Sequence, residues 1–287
     1  MNNKFCIEIA ELGVCFTTAP ELRETMNIRY RNFIRDRSPV TEVEIVEVEK
    51  LEPKFGESSF IPQIRYLNNG FEVDQAPYFF IEYNFDSQIG RINFTKAKRV
   101  WSGEGPFPEE DTPLAFGLRR SIGVLFITLL ARESAATIHG AAVRIGDKVV
   151  IAPGDSDTGK STFFSMFEEP LQLNDEFIVL REKTGSIEVF STPFSETWDK
   201  NRKHRSGQLA LVLNLIQSPA IKSRPIDASS IMKILVHNQV LPAEAYRECE
   251  QTFDILVLAS VLAQGQDLLF SLDGPRVAKK VESLFHV

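Results

Sequence analysis

Apolar and polar positions alternate with period two through the first third of the chain. Phe5, Ile7 and Ile9 alternate with Cys6, Glu8 and Ala10, and Val43-Glu44-Ile45-Val46-Glu47-Val48 repeats the alternation. Tyr78-Phe79-Phe80-Ile81-Glu82-Tyr83 and Arg91-Ile92-Asn93-Phe94-Thr95 continue it. Period two with one polar side predicts antiparallel strands that keep one face in water. Asn68-Asn69-Gly70 reads as a turn between strands. Phe16-Thr17-Thr18-Ala19-Pro20 opens a more helical stretch that runs through Tyr30. Residues 1–110 are therefore read as a β-rich N-terminal domain, and they hold no constellation of catalytic type.

The period changes after the Gly/Pro-rich break Trp101-Ser102-Gly103-Glu104-Gly105-Pro106-Phe107-Pro108, taken as the domain boundary. Asp111-Thr112-Pro113 supplies a capping side chain and an early proline, so a helix is expected from there to about Ser134. Its middle, Ile122 to Ala131, is the longest apolar run; it is too short to span a bilayer and is bounded by Arg119-Arg120 and Arg132-Glu133. A buried core helix is the expectation. Strands are expected at 136–145, at 149–153 after the turn Gly146-Asp147, at 171–176 and 177–180, at 187–190, at 209–216 and at 268–272. Helices are expected just after residue 160, ending near Pro170, and at 228–236, 243–262 and 276–285. Residues 111–287 are thus read as a second domain, and the chain as mixed α/β.

Composition removes several classes of function. Of 287 residues 43% are hydrophobic and 25% charged, an ordinary globular balance that is long enough for one large or two small domains. The net charge of −7 argues against a nucleic-acid surface, which needs a basic face. Cys6, Cys15 and Cys249 are read as too few and too scattered for a disulfide framework or a zinc site, and as fitting a reducing cytosol. The first residues show no signal-peptide hydrophobic core, so a cytoplasmic location is expected.

The chemistry concentrates in Gly154-Asp155-Ser156-Asp157-Thr158-Gly159-Lys160-Ser161. The apolar run Val149-Val150-Ile151-Ala152-Pro153 precedes it, and Thr162-Phe163-Phe164-Ser165-Met166-Phe167 begins a helix after it. Strand, glycine-bounded loop, Lys-Ser and helix is the setting of a phosphate-binding loop. Gly154 and Gly159 permit the dihedrals that turn successive N–H groups toward phosphate oxygens. Lys160 is the expected ligand of β and γ phosphates, and the Ser161 hydroxyl of Mg²⁺. Residues 154–162, Thr162 included, are the expected nucleotide-binding set.

A second acidic site narrows the class of nucleotide protein. Asp175-Glu176 follows Lys160 after a gap that holds one short helix and one short strand, which returns its carboxylates toward the phosphates and makes both candidate metal ligands. There is no Asn-Lys-x-Asp motif for reading guanine.

Ile138-His139-Gly140-Ala141-Ala142-Val143, a hairpin, the phosphate loop and an acidic pair soon after it resemble the catalytic domain of the HPr kinase/phosphorylase family. That family extends to peptide-tailoring kinases and, more distantly, to ATP-dependent phosphoenolpyruvate carboxykinase. The resemblance covers about residues 114–200; beyond, it lies only in the order of elements. It implies an HPr-kinase-like catalytic domain and transfer of the γ phosphate of ATP, with Mg²⁺, to a serine or threonine hydroxyl of a protein or peptide. By position it implies Asp175 as the base that accepts the hydroxyl proton and His139 as a catalytic neighbour of the reacting phosphate. Glu176 stands where the family has a second Asp. ATP and a hydroxyl acceptor are the expected partners; a homo-oligomer is compatible with the sequence, and neither nucleic acid nor membrane is expected. An ATP-binding regulatory or scaffold module without transfer is the alternative.

Lys200-Asn201-Arg202-Lys203-His204-Arg205 is the one concentrated basic run. It reads either as a solvated loop or as a flap that holds phosphates or an acidic peptide. Thr192-Pro193-Phe194-Ser195 resembles a segment near the family's nucleotide site. Trp198 is read as a buried aromatic or as a base-stacking one.

Overall fold

The computed structural model describes residues 4–35, 41–56, 61–96, 116–194, 203–240 and 250–285. The chain divides into two compact units, the first holding the described residues through Leu129 and the second those from Leu130 onward. The expected boundary at residue 110, the break at 101–108 and the capping residues 111–113 lie outside the described residues, as do Ser195, Trp198 and residues 200–202.

The first unit is built on a seven-stranded sheet. β1 (Lys4–Ile9) and β2 (Leu12–Thr17) form a hairpin, and α1 (Pro20–Tyr30) leads to β3 (Thr41–Glu47). β4 (Gln63–Leu67), β5 (Gly70–Gln75), β6 (Phe79–Asn84) and β7 (Ile89–Phe94) follow. The order across the sheet is β1-β2-β3-β7-β6-β5-β4. In β3 the residues Thr41, Val43 and Ile45 are buried and Glu42 and Glu44 exposed, the two-sidedness that the alternation predicts. The expected turn at Asn68-Asn69 joins β4 to β5.

Two sequence expectations for this unit need correction. The strands are not all antiparallel: β3 runs parallel to β2 on one side and to β7 on the other. Helix α1 carries the chain back between β2 and β3, the kind of connection that parallel pairing requires. The cysteines are also not all scattered. Hairpin register sets Cys6 opposite Cys15, with Cα atoms 4.0 Å apart, and the two are joined by a disulfide. Nine residues of separation bridge easily when a tight turn lies between them, so a reducing compartment no longer follows from the cysteines.

Helix α2 (Phe116–Arg132) buries Ile122, Leu125, Phe126 and Leu129, as expected for the apolar run. Among the described residues no helix is long and apolar enough to cross a membrane.

The second unit contains β8 (Ala135–Ile145), β9 (Lys148–Pro153), α3 (Lys160–Ser165), β10 (Gln172–Asn174), β11 (Phe177–Lys183) and β12 (Ser186–Phe190). β13 (Ser206–Gln217), β14 (Lys222–Ile226), α4 (Ala228–His237), α5 (Glu250–Leu262), β15 (Gln264–Phe270) and α6 (Gly274–Ser283) complete it. β8 pairs antiparallel with β9 along one edge and with β11 along the other. β11 continues to β12, β12 to β13, and β13 returns to β9 in parallel, so these five strands close a ring. Beyond it β13 pairs parallel with β15, and β14 closes that side.

Side chains alternate between two cores. Ile138, Val149, Ile151, Ile178, Leu180, Val189 and Val212 pack with α4 and α5 through Ile231, Leu235, Ile255 and Leu256. Val143, Val150, Ala152, Leu213 and Leu268 pack with α3 and α6 through Phe163, Val277 and Val281. Near-continuous apolar runs in β9 and β13 follow from burial on both faces.

Helix α3 and strands β15 and β14 differ from expectation. Helix α3 stops at Ser165, and a separate 3-10 turn at Glu169–Leu171 follows, with Pro170 in the first turn, where its missing N–H costs nothing. The Gln172 side-chain amide donates to the carbonyls of Phe164 (3.2 Å) and Phe167 (2.9 Å), at and just past the end of α3. β15 starts at Gln264, earlier than its apolar core suggests, and ends at Phe270. β14 carries Pro225 and has no sequence counterpart above; a proline is tolerated there because β14 pairs only with β15 and lies at the sheet's edge.

Candidate functional site

The candidate site gathers at the C-terminal end of β9, within the second unit. β9 ends at Pro153, the loop 154–159 follows, and Gly159 takes a left-handed conformation (φ 96°) to start α3. A Cβ on Gly159 would lie 2.6 Å from Cζ of Phe270, so both backbone angle and space require glycine. Asp157 is also left-handed (φ 67°), and its carbonyl accepts from the Gln217 side chain at 2.9 Å. The Asp155 carbonyl collects the Thr158 hydroxyl at 2.8 Å and the Lys160 ammonium at 2.6 Å. Lys160 is 7% exposed, with its charged end turned into the loop, whereas Ser161 is exposed in the first turn of α3.

β8 carries His139 past the start of this loop. The His139 carbonyl accepts from the Gly154 N–H at 3.3 Å, and its own N–H donates to the Asn238 carbonyl at 2.8 Å. The acidic turn is fixed to the same strand, since the Gly140 N–H donates to the Glu176 carbonyl at 2.9 Å. Asn174 holds the turn from beneath and is wholly buried. Its side-chain oxygen accepts from the Glu176 N–H, and its amide donates to the Thr192 carbonyl (2.9 Å) and hydroxyl (3.0 Å). Thr192 in turn donates to the Phe177 carbonyl at 2.7 Å, so Thr192 is tied to the residues on both sides of the acidic turn.

His139, Asp155, Lys160 and Glu176 thus come together. Glu176 Oε1 lies 3.6 Å from His139 Nε2, too far for a hydrogen bond. Burial lowers the His139 pKa from its ordinary 6.5, and the Lys160 charge lowers it further, while Asp155 opposes the shift. Asp175 is half-buried beside Glu176 in the same turn.

A lowered histidine pKa has a signed consequence. The unfolded chain takes up the His139 proton at higher pH than the folded chain does. Stability is therefore undiminished above pH 6.5 and declines as pH falls from there toward the lower folded value. Urea denaturation of wild type and His139→Gln between pH 8 and 5 should show the difference between the two narrowing or reversing in favour of the variant at low pH. Curves that stay parallel would rule out this linkage.

Two features of the site have no local sequence signal. His237, the last residue of α4, places Nε2 2.9 Å from Asp155 Oδ2. Asn174 reads in the sequence as one more polar residue ahead of the acidic pair. The basic run divides: Arg205 donates to the Pro170 carbonyl at 2.7 Å and fastens its loop to the 3-10 turn, while Lys203 is exposed.

The residues suit a phosphate group, since a buried ammonium and a glycine-bounded turn meet at the end of a buried strand. Among the described residues no three His, Cys, Asp or Glu are grouped so as to hold a metal ion. Mg²⁺ beside a nucleotide needs no such cage, because one or two carboxylates join phosphate oxygens and water around it. Ser161, Asp175 and Glu176 would provide the protein's share.

No protein-family model matches the chain, and no curated protein matches it in sequence. Among solved structures, the Hpr(Ser) kinase/phosphatase from Coxiella burnetii aligns over 53% of this chain and 99% of that chain, with 9% identity and a TM-score of 0.30. A likeness at that level assigns neither an activity nor a site to this chain.

Proposed function

We propose that the chain is an ATP- and Mg²⁺-dependent phosphotransferase of HPr-kinase-like type that acts on a serine or threonine hydroxyl of a protein or peptide. The observation that carries this reading is the meeting of a glycine-bounded loop, its buried Lys160, His139 and the acidic turn 175–176 at the end of β9. In this reading the loop amides of 154–162 and Lys160 hold the triphosphate. Ser161 with Asp175 or Glu176 would hold Mg²⁺, which when bound would supply positive charge against the phosphates. Asp175 takes the proton of the acceptor hydroxyl as its oxygen bonds to the γ phosphorus and the bond to the bridging oxygen breaks, releasing ADP. His139, neutral through burial, orients the γ phosphate by hydrogen bonding and does not add charge.

Lys160→Ala tests the nucleotide step. Calorimetry with Mg-ATP should show affinity reduced by roughly ten- to a hundredfold, the worth of one or more charge-assisted hydrogen bonds. Circular dichroism should remain that of the wild type. Unchanged affinity in the folded variant would remove the loop's assignment.

A further inference from the structure

We infer that His237 is a positioning residue of the phosphate loop: seated on Asp155, it draws that carboxylate out of the space a nucleotide's phosphates would take. The inference rests on the nucleotide-binding reading above and adds to it a part of the protein that no motif reaches.

The loop itself poses the problem. Asp155 and Asp157 place two carboxylates in a segment whose amides and Lys160 are to receive a polyanion. A carboxylate free to sample the loop's mouth would repel phosphate oxygens and compete for Lys160. The structure gives Asp155 another partner. His237 Nε2 meets its Oδ2 at 2.9 Å from a residue 82 positions further along the chain. That hydrogen bond, ahead of the nearby His139 and Lys160 charges, holds the Asp155 carboxyl below the usual carboxylate range.

The imidazole is delivered by a firm support. Asp227 caps the first turn of α4 through the Ser230 N–H. Ile231 and Leu235 bury the helix in the core at 2% and 0% exposure. At the far end the Asn238 amide closes on the Ile234 carbonyl at 2.8 Å, and the Asn238 carbonyl is bound by the His139 N–H. So α4 is stapled to β8, and its last side chain reaches the loop. Stability is a poor explanation for the pair, since both side chains are about two-thirds exposed and such ion pairs contribute little to folding. A ligand carrying several negative charges is far more sensitive to where one carboxylate points.

A double-mutant cycle read by Mg-ATP calorimetry tests the inference. His237→Ala should weaken Mg-ATP binding by about five- to tenfold, within the range for directly coupled residues. Asp155→Asn removes the repelling side-chain charge and keeps the loop amide, so its affinity is the reference against which the double variant is read. Asp155→Asn with His237→Ala should recover the affinity lost in the single His237 variant. His237→Gln, which keeps an N–H donor near the same place, should fall between wild type and alanine. Equal weakening in the single and double variants would overturn the inference, as would no effect of His237→Ala. Absence of Mg-ATP binding by wild type would defeat the nucleotide reading itself, whereas wild-type binding with an additive cycle defeats the role of His237 alone.

Discussion

Asp175→Asn is expected to lower phosphate transfer by about a hundredfold or more while Mg-ATP affinity stays within about tenfold. A serine or threonine hydroxyl is a poor nucleophile at neutral pH, and the proposed role of Asp175 is to take its proton during attack. Asparagine keeps the size of the side chain and removes its basicity. The backbone around it should not move. Asn174 beneath the turn is wholly buried and hydrogen-bonded to the Glu176 N–H and to Thr192, and the Gly140 N–H holds the Glu176 carbonyl. Radiolabelled ATP with candidate peptides or a cell extract, wild type against variant across a Mg²⁺ titration, measures the effect. Partial recovery of rate at high Mg²⁺ would move Asp175 from base to metal ligand. Equal labelling by the two proteins would end its catalytic role, and tight ATP binding with no labelling by wild type would favour a regulatory module.

Phe163→Ala should cost about 3–5 kcal/mol of folding stability, the usual loss for emptying a buried phenylalanine site. Phe163 is completely buried, and its ring meets Phe167 edge-on with centroids 5.1 Å apart. It shares a core with Val143, Val150, Ala152, Leu213 and Val281. Helix α3 has only six residues, too few to persist by helix propensity, so its position depends on this anchor. Mg-ATP affinity should fall with stability, because Lys160 and Ser161 stand on the same turn and a half. Urea denaturation measures the first effect and calorimetry the second. A loss below about 1 kcal/mol would mean that the core closes over the missing ring.

The strand–loop–helix at 148–165 is legible in the sequence because every feature of it is local. An apolar run is followed by glycines at the required spacing and by Lys-Ser. The solvated side of β3 is legible for the same reason. What the sequence does not disclose is pairing between distant segments. The parallel neighbours of β3 depend on where α1 returns the chain, and Cys6 meets Cys15 only because of hairpin register. Pro225 argues against a strand until β14 is seen to occupy an edge. In the candidate site, Lys160 and the acidic turn can be found from spacing. His237 cannot, since 82 residues separate it from Asp155 and only the packing of α4 brings them together. Arg205 shows the opposite case: a basic run suggests a grip on anions, yet this guanidinium is engaged by carbonyl groups of its own chain.

The ring of β8, β11, β12, β13 and β9 carries a consequence for the order of events at the ribosome. β8 and β9 form a hairpin as soon as both have emerged. The other edge of β9 waits for residues 208–212, whose register runs from Gln208 opposite Lys148 to Val212 opposite Ile151. Until that stretch is synthesised, the strand that leads into the loop 154–159 has one edge unpaired, and one apolar face lacks α4 and α5. Long-range parallel pairing is slow to form, because the entropy of closing the intervening chain is lost before the contacts are gained. The nascent chain must therefore carry β9 incomplete through the making of β10 to β13, with an open edge of the kind that invites chaperones and misassembly. α4, α5, β15 and α6 then supply what the two cores lack, so the surroundings of β9 are completed only when chain from residue 228 onward has joined it.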